Sequence, residues 1–234
     1  MSRGKSQRRS YESTVVRVIG LAGSLRTQGT TRTAVRWALR GAEQSGAQVQ
    51  LLDLAAYELP FAGQENGDPA KDAVARFIAD LRSADGIVIG SPEIHGSLSG
   101  VLKNALDLTD RELFEGKMVG LIGVAGGRMG ASETLSHLRT IARSLHAWVV
   151  PTQASVADSA TAFDSRSEPI DAALGERLEA VGRQVAHFAR LHKCENHLQF
   201  VKEWETAAHD DGRDEGAVDV GRGHEIATSR REGG

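Results

Sequence analysis

The chain has almost no means of cross-linking itself. Of its 234 residues only Cys194 is a cysteine, so no intrachain disulfide or cysteine zinc cluster can form, and a reducing, cytoplasmic setting is expected. Aromatics are scarce at 5%. Ala, Gly, Val and Leu are common instead, which suits helices packed closely on a sheet. A net charge of −3 is too small to point to nucleic acid or to an acidic carrier. No segment approaches the roughly 18 apolar residues that span a membrane. The basic opening MSRGKSQRRSYES precedes only a short apolar run, Val15 to Ala22, interrupted by Arg17, which is too brief for a secretory signal. Residues 1–13 therefore read as a disordered basic tail.

What is present is a strand–helix alternation. Strand-like runs fall at Val15 to Ala22, Gln48 to Leu54, Gly86 to Ser91, Met118 to Ala125 and Ala147 to Val150. Between them, Val74, Phe77, Ile78 and Leu81 recur at i, i+3, i+4 and i+7, and Leu135, Leu138, Ala142 and Leu145 make a similar stripe. Leu174, Leu178, Val181, Val185 and Phe188 mark a last helix, from about Pro169 to His192. Strand then helix, repeated five times, implies an α/β fold: a doubly wound, five-stranded parallel sheet with helices on both faces. Strands one, three and four are nearly all apolar, as central strands are, whereas Gln48, Gln50 and Asp53 interrupt the second. The order 2-1-3-4-5 follows, with a ligand crevice lined by the loops after strands one, three and four.

One domain is expected over residues 14–195. The extension 196–234 loses its periodicity and reads as mostly disordered, although Leu198, Phe200, Val201 and Trp204 suit a short docking helix. The segment Leu59 to Pro69 (LPFAGQENGDP) is expected to be a mobile wall beside the crevice or an oligomer contact.

The most informative stretch runs from Ser91 to Asp107, SPEIHGSLSGVLKNALD. The apolar strand GIVIG stops at Pro92, which has no N–H to donate, and a turn-rich loop then opens a helix. Gly96, Ser97, Ser99 and Gly100 leave little bulk around free backbone N–H groups. Such a loop suits a planar, acceptor-rich ligand. After strand one, Gly23, Ser24, Leu25 and Arg26 lead through Gly29, Thr30 and Thr31 into a helix beginning near Thr31. Uncapped N–H groups, hydroxyls and a guanidinium converge there on an anion. The three-glycine dinucleotide fingerprint is missing, although Asp53 stands at the end of strand two, and no G-K-[ST] follows the glycines. A phosphomonoester fits better than a pyrophosphate.

Three motifs in order, GSLR at 23–26, SPEIHGSLSGVLKNALD at 91–107 and VAGGRMG at 124–130, make the chain resemble the NADPH-dependent FMN reductase family of flavodoxin-like proteins. The resemblance spans about Val15 to Ala189. It implies that the first loop holds the FMN phosphate through Ser24 and Arg26, with Thr30 or Thr31 supplying a hydroxyl because position 29, often Ser in that family, is Gly here. It implies a flavin loop of Pro92, Glu93, Ile94, His95, Gly96 and Ser97, and a third loop of Gly126, Gly127 and Gly130 against the ring. Ile94 stands where an aromatic is common.

The activity implied is an FMN-dependent oxidoreductase. Hydride passes from NADPH, or NADH, through the flavin to a small acceptor: a quinone, flavin, azo compound or metal oxyanion. Flavin carries the chemistry, so no catalytic side chain is required, and His95 is a weak proton-donor candidate only. Backbone N–H groups from Glu93 to Ser97 are expected to bond the ring, and Arg128 to face a cofactor phosphate or solvent. Glu93 and Asp107 read as structural, Lys103 and Asn104 as exposed helix or a subunit contact. His137 and His146 have no metal-ligand spacing. A homodimer or homotetramer is implied, and no membrane or nucleic-acid partner. The alternatives are a flavodoxin-like electron carrier and a cofactor-less interaction module. The absence of aromatics from both flavin loops argues against the carrier.

Overall fold

Five strands, β1 (Arg17–Ala22), β2 (Gln48–Asp53), β3 (Gly86–Pro92), β4 (Met118–Val124) and β5 (Trp148–Val156), pair all-parallel in the order β2-β1-β3-β4-β5. The structure is a computed structural model that describes residues 15–26, 29–64 and 67–193. All of these lie in the first of two units into which the chain divides, Met1–Leu198. The basic tail, Cys194 and the extension with its proposed docking helix lie outside the described residues.

Helices cover both faces because successive strand residues point to opposite sides. Val18, Val88 and Ile122 pack with Val35, Leu39, Val181 and Val185 under α1 (Thr30–Gln44) and α6 (Ala172–Lys193). Ile19, Leu21, Ile87, Ile89 and Leu121 pack with Phe77, Leu81, Leu102 and Leu138. Those come from α2 (Asp68–Arg82), α3 (Gly100–Asp107) and α5 (Ser132–Ser144); the short α4 (Arg111–Phe114) adds Leu113 and Phe114 to the same face.

The α1/α6 side is the tighter one. Gly20, Gly86, Gly90 and Gly120 share that face, and a β-carbon on any of them would collide with Val35, Val185 or Val181. The two helices also meet backbone to backbone, where a β-carbon on Gly182 would run into the Ala38 carbonyl and one on Gly41 into Glu179. Gly86 and Gly90 of GIVIG and Gly120 of MVGLIGV thus let two helices sit close on the sheet.

The last strand differs from expectation. It continues through Pro151 to Val156, past the Ala147–Val150 run, and its register against β4 shifts between Val119 and Leu121, which pair with Val149 and Gln153. The irregularity accommodates a proline that has no N–H for the ladder, as edge strands permit. The longer strand carries the following loop to the C-terminal rim of the sheet, beside the loops after β1, β3 and β4.

Candidate functional site

The loop after β1 is anchored before it reaches the site. Gly23 N donates to the Gly90 carbonyl at 2.8 Å, and Ser99 Oγ donates to the Gly23 carbonyl at 2.6 Å. Arg26 N then donates to Ser24 Oγ at 3.2 Å, which turns the chain toward α1. Gly29 is the N-cap of α1 and brings no capping side chain, so the first-turn N–H groups of Thr30 and Thr31 are left for a ligand. Arg26 is exposed beside them. The Thr30 hydroxyl donates to the Ser159 carbonyl at 3.0 Å. That proton is engaged within the protein; Thr31, the other hydroxyl expected at this end, is almost fully buried yet lines the cleft.

The loop after β3 is a tight reversal. Ile94 N donates to the Ser97 carbonyl at 2.8 Å and Ser97 N to the Ile94 carbonyl at 3.1 Å, around His95 at φ 51° and Gly96 at φ 75°. Two central residues with positive φ are the signature of a type I′ turn, which favours glycine at the second position. Glu93 N donates to the Val124 carbonyl at 2.7 Å. The N–H groups of Glu93, Ile94 and Ser97 are therefore occupied, and the expectation of a whole row of donors from Glu93 to Ser97 is corrected to His95 and Gly96. The Glu93 carboxylate acts structurally, since its Oε2 accepts from Thr134 N at 3.2 Å, in the first turn of α5. Ser97 Oγ lies 2.9 Å from His137 Nδ1, which fastens the turn to the same helix.

The loop after β4 is open where it matters. A β-carbon on Gly126 or Gly127 would meet nothing within 4 Å. Gly130 sits at φ 72°, pressed on the Ser155 hydroxyl, which also accepts from Ala131 N at 2.8 Å. Arg128 and Met129 are exposed, Met129 almost completely.

These loops enclose a cleft of about 480 Å³, within the usual range for a small-molecule site. Of the sequence-derived residues, Ser24, Arg26, Thr30, Thr31, Pro92, Glu93, Ile94 and Gly126 line it. His95, Gly96, Ser97, Gly127 and Gly130 do not line it, although the turn begins at Ile94, which does. Ser99 and Val101 of the 91–107 motif and Val124 of the 124–130 motif also line it, and Ser159 joins them without any local motif to mark it. Ser159 comes from the loop after β5, a fourth loop beyond the three expected from the sequence. Its N–H donates to the Ala125 carbonyl at 3.1 Å, tying that loop to the one after β4.

A second, more apolar cleft of about 500 Å³ adjoins the first and shares Leu25 and Val101 with it. Leu54, Tyr57, Leu59 and Phe61 form its other walls. Asn104 holds the Pro60–Ala62 wall from both sides: its Nδ2 donates to the Pro60 carbonyl at 2.8 Å, and its Oδ1 accepts from Ala62 N at 3.0 Å. It is thus a clamp, whereas Lys103 pairs with Asp107 on the exposed face of α3 at 2.6 Å. Burial, and then the 2.6 Å hydrogen bond to Asp80, push the Tyr57 phenol above its ordinary range, so it remains a neutral donor. Asp53 accepts from Ala55 N at 3.1 Å and pairs with Arg32, so it is engaged within the fold and does not face a ribose.

The model of the NADPH-dependent FMN reductase family matches residues 16–162, more than half of the chain. The chain belongs to that family. It is an NAD(P)H-dependent FMN reductase, with FMN and NADPH as its cofactors. The reductase is 37% identical over 143 residues to the FMN-dependent NADPH-azoreductase of Staphylococcus aureus, a match covering 59% of this chain and 76% of that one. Among solved structures it resembles FerB, the flavoenzyme NAD(P)H:(acceptor) oxidoreductase of Paracoccus denitrificans, with a TM-score of 0.62, 20% identity, and coverage of 76% of this chain and 99% of that one. It also resembles the apo NADH:FMN oxidoreductase EMOB, with a TM-score of 0.59, 19% identity, and coverage of 76% and 89%. At those identities the likenesses speak for the fold.

The donor set fits FMN. One end of the cleft has an uncapped helix N-terminus and a guanidinium for a phosphomonoester, and the other has apolar Ile94 and Val101 with the bare backbone of Gly126 for a flat ring. Among the described residues no helix is long and apolar enough to cross a membrane, and no group of His, Cys, Asp or Glu is placed to hold a metal.

Proposed function

We propose that this reductase passes electrons from NADPH to an aromatic acceptor, an azo compound or a quinone, that enters over the flavin from the apolar cleft. FMN, when bound, supplies the two-electron redox chemistry between donor and acceptor. Ser24, Arg26 and the N–H groups of Thr30 and Thr31 hold its phosphate. The Pro92–Ile94 segment and Gly126 flank the ring, and the His95 and Gly96 N–H groups are the donors left for its polar edge. Their fixed positions favour the charge that builds there on reduction. The imidazole of His95 has no part in catalysis.

The observation that carries the acceptor reading is the continuity of the two clefts through Leu25 and Val101. A flat apolar molecule resting on Phe61 and Leu59 has a path to the ring, whereas a hydrated oxyanion finds no cation among the lining residues there. The azoreductase relative supports the same substrate class. The sequence supports work in the cytoplasm through its single cysteine. Exposed Leu25, Phe61, Ile94 and Met129 around the mouth support assembly as a homodimer or homotetramer.

The test is steady-state reduction of an azo dye and of a benzoquinone by NADPH, with wild type and Phe61→Ala. A several-fold rise in KM for both acceptors, with KM for NADPH unmoved, is the expected result. Acceptor KM values that do not respond to Phe61 would overturn the proposed entry route.

A further inference from the structure

A basic groove lies on the outer side of α1, away from both clefts. Thr33, Arg36, Trp37 and Arg40 form one stripe of that helix at i, i+3, i+4 and i+7, and Arg166, Ser167 and Glu168 face them. The space between is about 210 Å³, room for a phosphate group though not for a whole nucleotide.

The facing segment is built to stay in place. Asp164 Oδ1 accepts from Arg166 N at 2.8 Å and from Glu168 N at 2.9 Å, and Asp164 N donates to the Glu168 carbonyl at 2.8 Å. Ser167 is held at φ 65°, a left-handed conformation unfavourable for serine, and its carbonyl accepts from Trp37 Nε1 at 2.8 Å. The indole therefore pins a strained turn over the stripe.

The charges do not cancel. Arg40 stacks on Trp37 at 4.4 Å and shares Glu179 at 3.1 Å. Arg36 and Arg166 are exposed, and neither side chain has a hydrogen bond or ion pair among the described residues. Three guanidiniums thus meet one lining carboxylate, Glu168. Two unpaired, fork-shaped donors on a fixed frame are the recognition chemistry of a phosphomonoester dianion.

Position joins this groove to the reductase site. The same helix begins in the flavin cleft at Thr30 and Thr31, and at a rise of 1.5 Å per residue Arg36 lies about 9 Å and Arg40 about 15 Å further along its axis. The loop that gives Ser159 to the cleft gives Arg166 to the groove. We propose that Arg36 and Arg166, supported by Arg40, bind the ribose 2′-phosphate of NADPH and so set the preference for NADPH over NADH. The proposal rests on the reading of this chain as an NADPH-dependent flavoenzyme and adds to it the residues that choose the donor.

The flavin-loaded enzyme and its Arg36→Ala/Arg166→Ala variant are compared in two ways. In kinetics, the ratio of kcat/KM for NADPH to that for NADH falls about tenfold or more in the variant, as expected for lost charge-assisted hydrogen bonds. In calorimetry, 2′,5′-ADP binds wild type more tightly than 5′-AMP does, and the variant loses that difference. A ratio unchanged by the double substitution overturns the proposal, and so does 5′-AMP binding as tightly as 2′,5′-ADP. Inorganic phosphate matching 2′,5′-ADP would mark a general anion groove and overturn the nucleotide assignment. Failure of the underlying reading looks different: wild-type enzyme would then oxidise neither nucleotide.

Discussion

Ser99 Oγ donates to the Gly23 carbonyl at 2.6 Å, across 76 residues of sequence, and the same oxygen accepts from Leu102 N at 3.2 Å as the N-cap of α3. One buried hydroxyl thus fixes the loop after β1 to the loop after β3 and starts a helix. Ser99→Ala removes the cap and leaves the Gly23 carbonyl without this donor, so stability falls by about 1–3 kcal/mol. Urea unfolding checks this, and FMN affinity is expected to weaken with it because two loops of the cleft lose their common anchor.

Arg26→Ala lowers FMN affinity at least about tenfold, equivalent to about 1.4 kcal/mol for one lost charge-assisted contact to phosphate. Titration followed by quenching of flavin fluorescence in phosphate-free buffer measures it. Arg26 is exposed, so the urea midpoint of the apoprotein stays where it was.

His95→Asn keeps NADPH turnover within about twofold, because asparagine tolerates the left-handed conformation at φ 51° and the backbone N–H is retained. A fall in kcat of about a hundredfold or more in this variant, with FMN content unchanged, would restore the imidazole to a catalytic role.

Lys117 Nζ donates to the Leu81, Arg82 and Ala84 carbonyls at 3.1, 2.9 and 2.7 Å, closing the end of α2. Burial lowers its pKa to about 8, against the opposing pull of Asp85. Between about pH 8 and its ordinary value of 10.5 the unfolded chain keeps a proton that the folded chain has released, so this group makes stability rise with pH across that window. Below pH 8 both states are protonated and the burial penalty is constant. Urea midpoints measured from pH 8 to 10 are expected to rise relative to those of Lys117→Met.

Much of this architecture is legible in residue order. The polar Gln48, Gln50 and Asp53 mark β2 as an edge, and the nearly all-apolar runs of β1, β3 and β4 place them inside. Gly20, Gly86, Gly90 and Gly120, spread over the three central strands, sit where the helices press closest. The cleft was legible where a ligand-facing residue belongs to a local pattern, as Ser24, Arg26 and Gly126 do. It was not legible where the role depends on a distant partner. Nothing local tells that Asn104 will hold residues 60–62 or that Thr30 will give its proton to Ser159. The β5 loop was missed for a specific reason: Pro151 ends the apolar run, and proline stops a central strand, but an edge strand with a register shift carries on past it. The donors of the flavin loop were overcounted because hydrogen bonds inside a two-residue turn cannot be seen in composition.

That register shift has a consequence for how copies of the protein can meet. An open parallel sheet offers its outer strands as templates on which another chain can grow. On β5 the template is spoiled, since Pro151 presents no N–H, the spacing of the pairing groups is irregular, and Thr152 N is already taken by Gln184 Oε1 at 3.1 Å. Sheet-to-sheet extension is opposed along the Pro151–Thr152 stretch of this edge, and any association of copies there would fall to side-chain surfaces.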